Sequence, residues 1–85
     1  MSKKKIHLRI VTLMGIKVDQ TADMVIVRCR NGDMGFLPDH AAYSVVLGHG
    51  VLRILNGGAE RRLTIYGGIA EIQDNVLTIL TNDVH

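Results

Sequence analysis

The sequence predicts an all-β fold, an antiparallel β-sandwich or flattened barrel of about ten short strands. About eight to ten extended segments are separated by turn residues every 5–12 residues, and no stretch keeps the 3.6-residue period of a helix. One Phe, two Tyr and no Trp leave the core to aliphatic side chains, which suit pleated sheets. The 85 residues are predicted to form one domain, covering residues 1–85.

The amino-terminal strands are predicted from the alternation of apolar and polar residues and from the residues that interrupt it. Residues 5–13 alternate between apolar and mostly charged positions, which predicts a half-buried strand. Met14-Gly15 ends it, and residues 16–18 begin a second short strand. The polar residues 19–23 are predicted to be a connection, and a third strand starts at Met24.

Turn residues separate the later strands. Asn31-Gly32, Asn56-Gly57-Gly58 and Asp74-Asn75 tolerate positive φ and predict tight turns. Pro38 ends the pairing of a short apolar strand on one side, and the Gly67-Gly68 pair predicts a sharp bend or a close backbone crossing. The strands themselves are predicted at residues 34–37, 43–47, 51–55, 61–66, 69–72 and 76–80.

The charge distribution argues against nucleic acid. The formal net charge is +2, and Lys3, Lys4 and Lys5 carry three positive charges, so the rest of the chain is nearly neutral. Nucleic-acid-binding surfaces need basic side chains spread over a face, with stacking aromatics for single strands. We expect no nucleic-acid partner, and we predict that residues 1–4 form a disordered basic terminus.

No combination of residues predicts catalysis or metal binding. The four histidines, at positions 7, 40, 49 and 85, have unrelated spacings, and Cys29 is the only cysteine. No glycine-rich segment carries the Lys-Ser or Lys-Thr of a phosphate-binding loop. We therefore expect no enzyme activity, cofactor, metal or small-molecule ligand. The apolar runs are too short to span a bilayer, and no export leader is visible, so a cytoplasmic location is expected.

Three predicted strands carry apolar side chains on both faces. They lie at residues 24–27, 43–47 and 76–80. In an isolated antiparallel sandwich, one face of each strand normally packs on the core and the other faces solvent. The sequence predicts no helix that could cover apolar side chains on the solvent face. Short twisted strands at barrel corners could bury both faces, but three such strands together favour a partner surface.

Two motifs carry a family resemblance. Gly35-Phe36-Leu37-Pro38 with His40-Ala41, and Gly67-Gly68 with Glu71-Ile72, resemble the amino-terminal domain of the epsilon subunit of F-type ATP synthases. The similarity spans nearly all 85 residues. It implies a ten-stranded β-sandwich and a non-catalytic central-stalk subunit that docks on the gamma subunit and the c-ring. Such a subunit couples proton-driven rotation to ATP synthesis at the cytoplasmic or matrix face of the membrane, without entering it.

The resemblance also implies roles for individual residues. The surface against gamma is expected to contain Thr12, His40, Ala41 and Tyr43. The loop facing the c-ring is expected to contain Gly32, Asp33 and Met34, with Asp33 as an acceptor. The structural turns are expected at Gly35, Pro38, Gly67 and Gly68. Asp33 as a simple turn former and His40 as a residue that only hydrogen-bonds the corner stay open alternatives.

The sequence departs from the family pattern in the corner. Asp39 stands where the family often has Gly, Ala42 where it often has Pro, and Tyr66 where Ser commonly precedes the glycine pair. The helical hairpin that usually follows and restrains ATP hydrolysis is absent from these residues. We expect no inhibition through such an extension, whether the short form is natural or an excised domain.

A second function class stays open beside the rotor subunit. A free-standing β-sandwich adaptor could bind a peptide or carbohydrate through the loop at residues 32–42. Such sites usually contain more aromatic side chains than this chain has.

Overall fold

All regular structure in the computed structural model, which describes residues 4–85, is β-strand. The described residues form one sheet in the order β2-β1-β7-β6-β5-β3-β4. The all-β class is therefore confirmed, with fewer and longer strands than predicted. The strands are β1 (Ile6–Thr12), β2 (Gly15–Ala22), β3 (Met24–Cys29), β4 (Gly32–Phe36), β5 (Tyr43–Asn56), β6 (Ala59–Gln73) and β7 (Val76–Leu80).

The lower count arises because β5 and β6 are each one long strand. Their antiparallel register runs from Tyr43↔Ile72 to Asn56↔Ala59 without a shift. The prediction of separate strands on either side of the glycines was wrong. Glycine lets a strand bend at a close approach, and Gly68 provides such a position. The pairing keeps the same register on both sides of Gly48 and Gly67.

The two long strands belong to both layers of the sandwich. Residues 43–47 of β5 and 68–73 of β6 continue the sheet of β7, β1 and β2, which we call layer one. Residues 49–56 and 59–66 lie beside β3 and β4, which we call layer two. One core joins the layers, and its most enclosed large side chains include Phe36, Ile6, Leu8, Ile10, Leu52, Ile54, Ile72, Leu77 and Ile79.

One pairing departs from the antiparallel pattern. Strands β1 and β7 are parallel, in a register from His7↔Val76 to Val11↔Leu80. The amino-terminal strand therefore lies between β2 and the last strand. The alternation of apolar and polar residues does not indicate whether two strands pair in parallel or antiparallel, so the sequence could not predict this pair.

Residues 19–22 are strand, not the predicted connection. They pair with β1, as in Arg9↔Asp19 and Ile6↔Ala22. Strand β2 lies at the edge of the sheet, where polar side chains discourage pairing with another chain. Only Asp23 joins β2 to β3, and its backbone N–H donates to the Leu55 carbonyl oxygen at 2.8 Å.

Three glycines predicted as turns lie inside strands. Gly35 is within β4, where a Cβ atom would collide with the methyl group of Met24. Gly67 and Gly68 are within β6 at φ 77° and 126°. A Cβ on Gly68 would overlap the Leu80 carbonyl oxygen and come within 2.9 Å of the Thr81 Cα, so the backbones of β6 and the end of β7 nearly touch.

The corner after Pro38 keeps a left-handed residue although it has no glycine. Asp39 has φ 65°. Its N–H donates to Asn75 Oδ1 at 2.6 Å, and its carboxylate lies 3.1 Å from Lys4 Nζ. The pKa of Asp39 is lowered, first by the hydrogen bond from Lys4 and then by that from Asn75. Residues 1–3 of the predicted disordered terminus lie outside the described residues.

Candidate docking surfaces

An exposed row of aliphatic side chains crosses the outer face of layer one. The pairs Val46↔Ile69, Ile69↔Leu80, Val11↔Leu80 and Val11↔Ile16 align one residue from each of five strands. Directly paired residues share a face of the sheet. We call these five residues the apolar row. Four of its side chains are about half exposed or more: Val46 at 70%, Leu80 at 53%, Ile16 at 51% and Ile69 at 48%.

The neighbouring rows show that this exposure is not a general property of the layer. The adjacent row aligns Val18, Ile10, Ile79, Ala70 and Val45. It is one residue away on each strand except β2, where a β-bulge makes the step two residues, and all but Val45 are buried in the core. On the outer face, the row two residues away is polar, as in Arg9↔Thr78 and Ser44↔Glu71. The apolar row is therefore a band bordered by a polar row, beyond which Val76 is a further exposed aliphatic residue of the same face.

The tip of the β1–β2 hairpin extends this band. Leu13 and Met14 are almost fully exposed, and the Met14 N–H donates to the Thr12 hydroxyl oxygen at 3.1 Å. The apolar row and this tip were only partly visible in the sequence. Strand 76–80 was identified as apolar on both faces, but the alignment of Ile16 and Ile69 with it depends on the register.

The four residues expected at the gamma surface do not form one cluster. Thr12 ends β1, four residues beyond Leu8, while the pairs Leu8↔Leu77, Ile72↔Leu77 and Tyr43↔Ile72 align Tyr43 with Leu8. Thr12 and Tyr43 are therefore at different ends of layer one, with β7 and β6 between their strands.

His40 and Tyr43 do lie together. The His40 ring is 5.4 Å from the Phe36 ring and 6.2 Å from the Tyr43 ring, between centroids. His40 Nδ1 also lies 2.7 Å from the carbonyl oxygen of Ala41, which supports the corner. Tyr43 belongs to the inward-facing row of its strand, but it stays half exposed because β5 is an open edge there.

The loop expected to face the c-ring is the β3–β4 hairpin. Gly32 has φ 118°, and Asp33 is paired across the hairpin with Arg28, whose Nε lies 3.3 Å from Asp33 Oδ1. The Asp33 carboxylate therefore already has a cationic neighbour. Met34 is half-buried and packs against the core, so among Gly32, Asp33 and Met34 the exposed polar side chain is that of Asp33.

A cleft of about 730 Å³ separates this hairpin from the first half of β5. Its apolar lining includes Met34, Val45 and Leu47, which also contact the core. Cys29 lines the same cleft, and burial, followed by the charge of Asp33, raises the pKa of its thiol.

Within residues 4–85, no three His, Cys, Asp or Glu side chains are grouped closely enough to hold a metal ion. The same residues contain no helix long and apolar enough to cross a membrane.

The fold defines the chain as a small β-sandwich domain, and the outer face of layer one carries an exposed apolar band. The profile of the family described as "ATP synthase, Delta/Epsilon chain, beta-sandwich domain" matches residues 5–85. The chain belongs to this family.

Individual relatives agree with this assignment. The ATP synthase epsilon chain of Acidithiobacillus ferridurans is 38% identical over 77 residues, which cover 91% of this chain and 55% of the relative. That of Prochlorococcus marinus (strain NATL1A) is 38% identical over 64 residues, covering 75% and 47%. The chain thus spans about half the length of these relatives.

Two solved structures show the same fold. A chain in the Euglena gracilis mitochondrial ATP synthase structure, which contains OSCP, F1 and the c-ring, aligns over all of this chain with a TM-score of 0.91 and 25% identity, over 55% of its own length. A chain from the central stalk and c-ring structure of the Tetrahymena thermophila enzyme aligns with a TM-score of 0.81 and 17% identity, over 69% of its length.

Proposed function

We propose that this β-sandwich acts as a non-catalytic rotor domain in the central stalk of an F-type ATP synthase. In this role it docks on the gamma subunit and the c-ring and couples proton-driven rotation to ATP synthesis. Family membership and the likeness to a chain of a synthase with its c-ring support this proposal. The domain would work at the cytoplasmic or matrix face of the membrane, as a peripheral part of the complex.

The observation that carries the proposal is the apolar row. Five aligned aliphatic side chains beside a polar row form a band that a rigid neighbour can cover, as expected of an interface core with a polar rim. We assign this face, with Thr12 at its hairpin end, to the gamma subunit. His40, Ala41 and Tyr43 would contact gamma at the other end of the layer.

The β3–β4 hairpin is proposed to face the c-ring. Gly32 and Asp33 are at its turn, and the Arg28–Asp33 pair holds the carboxylate in place while leaving it half exposed. Asp33 can then accept hydrogen bonds from amide or basic groups of the ring loops. Met34 would support the loop from within the core.

A matched pair of substitutions tests the gamma surface. Val46→Glu places a charge in the apolar row, and Val51→Glu makes the same change on the outer face of layer two, where Val51 is 47% exposed. An unpaired charge in an interface core costs about 2 kcal/mol or more, so Val46→Glu should weaken binding to the gamma subunit at least about thirtyfold. Titration of the purified gamma subunit measures this.

Val51→Glu is expected to bind gamma like the unchanged chain. Equal affinity of the unchanged chain and Val46→Glu would contradict the assignment of the apolar row. A soluble peptide or carbohydrate ligand, with no binding to gamma or the c-ring, would instead favour the free-standing adaptor.

A further inference from the structure

The first half of β5 has one unpaired edge. Residues 43–46 pair with β6, from Tyr43↔Ile72 to Val46↔Ile69, whereas pairing with β3 extends only to Cys29↔Leu47. Among the described residues, no hydrogen bond reaches the backbone of residues 43–46 from the β3 side. Alternate residues of a strand direct their N–H and C=O groups to opposite edges, so this edge presents free donors and acceptors.

The cleft lies along this edge. It is bounded on the other side by the β3–β4 hairpin, and Met34, Val45 and Leu47 form its base. Because these side chains also pack against the core, the cleft is an opening between the two layers of the sandwich. An apolar side chain placed there would extend the core.

The charge around the cleft is positive. Arg28 and Asp33 neutralise each other at 3.3 Å, while Arg30 is exposed and has no ion pair or side-chain hydrogen bond with any other residue of the described part of the chain. A ligand that fits the cleft therefore gains from a carboxylate near Arg30.

We propose that this cleft binds an extended segment of a partner polypeptide that has apolar side chains at alternate positions and a carboxylate facing Arg30. The segment adds a strand beside residues 43–46 of β5 and inserts its apolar side chains above Val45 and Leu47. Strand addition satisfies the free backbone groups, and alternate side-chain positions provide selectivity. The site shares Val46 with the apolar row and the loop at Gly32, Asp33 and Met34 with the surface proposed for the c-ring, but its test does not require the gamma subunit as a partner.

A synthetic peptide tests the proposal without any synthase subunit. The probe is acetyl-Thr-Val-Glu-Val-Thr-Val-amide, titrated into the 15N-labelled chain and followed by NMR. We expect shift changes confined to residues 29–34 and 43–48, and slower amide exchange for alternate residues of 43–46. Slower amide exchange would show that backbone N–H groups of β5 are hydrogen-bonded to the peptide, which side-chain contacts alone would not cause. Absence of shifts up to millimolar peptide, or shifts centred on Val11, Ile16, Ile69 and Leu80 or on the outer edges of β2 and β4, would overturn the proposal.

Charge reversal tests the role of Arg30. The unchanged chain should prefer the Glu peptide over the same peptide with Lys at that position by about three- to fivefold, the range expected of an exposed ion pair. Arg30→Glu should reverse this preference. Arg61→Glu is the matched control, because Arg61 is in layer two and bonds Gln20 at 2.9 Å, away from the cleft. The proposal fails if Arg30→Glu keeps the original preference, or if the two variants behave alike.

Discussion

At the scale of single residues, backbone conformation explains positions that composition alone would not single out. Asp39 stands where the resembling family often has glycine, and it adopts the positive φ that glycine would adopt freely. Asp tolerates this conformation better than most residues, and Asn75 and Lys4 bind it on both sides. The corner is therefore left-handed at a residue that is not glycine, and contacts on both sides of Asp39 hold it.

Gly68 should be the glycine least tolerant of a side chain. A Cβ there would meet the Leu80 carbonyl oxygen and the Thr81 Cα, and φ 126° adds backbone strain. We expect Gly68→Ala to lower the free energy of unfolding by about 3–5 kcal/mol, from strain and overpacking together. Urea unfolding measures this loss.

Gly15→Ala is the matched control for Gly68→Ala. Gly15 has a similar φ of 113°, but a Cβ there would have no neighbour within 4 Å. Gly15→Ala should therefore lower the free energy of unfolding only by the cost of backbone strain, about 1–3 kcal/mol. Equal losses in the two variants would show that the contact with β7 has no energetic effect.

At the scale of elements, the alternation of side chains predicted strands well, but it could not predict their partners. The buried side of β1, with Ile6, Leu8 and Ile10, was predicted by its period of two and is confirmed. Strand β2 was underestimated, because an edge strand with one polar side contains too few apolar residues to be identified. The long strands β5 and β6 were divided at glycines that bend them without ending them.

The candidate site shows the same limit. The sequence indicated which strands carry apolar groups on both faces, but the apolar row exists only because the registers of four strand pairs coincide. The resemblance named Thr12 and Tyr43 as parts of one surface. The register places them at different ends of layer one, which local pattern could not predict.

Glu60 in the β5–β6 hairpin should make stability depend on pH. Its carboxylate accepts hydrogen bonds from Arg53 and Arg62, and these, with Arg53 first, lower its pKa below the usual 4.5. The unfolded chain then binds this proton more tightly than the folded one. The contribution of Glu60 is therefore complete above the unfolded-state pKa and is lost as pH falls through the folded-state pKa.

We therefore expect Glu60→Gln to lose less stability than the unchanged chain between about pH 6 and pH 3. Urea unfolding at both pH values measures the difference. Glu71→Gln is the control, because Glu71 lies in the same strand and makes no ion pair within residues 4–85. The free energy of unfolding of this variant should fall with pH as much as that of the unchanged chain. An identical pH profile for Glu60→Gln and the unchanged chain would contradict the role of the Arg53–Glu60–Arg62 cluster.

At the scale of the whole molecule, the continuity of β5 and β6 couples the two layers. Each long strand contributes to both layers, and the parallel β1–β7 pair joins strands from opposite parts of the sequence. Buried side chains of the two layers form one core cluster. We therefore expect the two layers to lose their packing together. Such coupling suits a domain proposed to transmit torque between two neighbours.

This coupling predicts a single cooperative unfolding transition. Leu8→Ala removes a buried side chain from layer one, and Ile54→Ala removes one from layer two. Each should lower the free energy of unfolding by about 2–5 kcal/mol. The slope of the free energy of unfolding against urea concentration should not change, because the whole chain still unfolds in one step.

The two tyrosines report on the layers separately, since Tyr43 belongs to layer one and Tyr66 to layer two. Replacing either by Phe leaves one fluorophore in a chain that has no Trp. In both single-tyrosine chains, fluorescence and circular dichroism should give the same urea midpoint, with Leu8→Ala or Ile54→Ala present. If Leu8→Ala shifted the Tyr43 transition and left that of Tyr66 in place, the layers would unfold independently. Rigid coupling through β5 and β6 would then be wrong, and torque would have to pass through one layer alone.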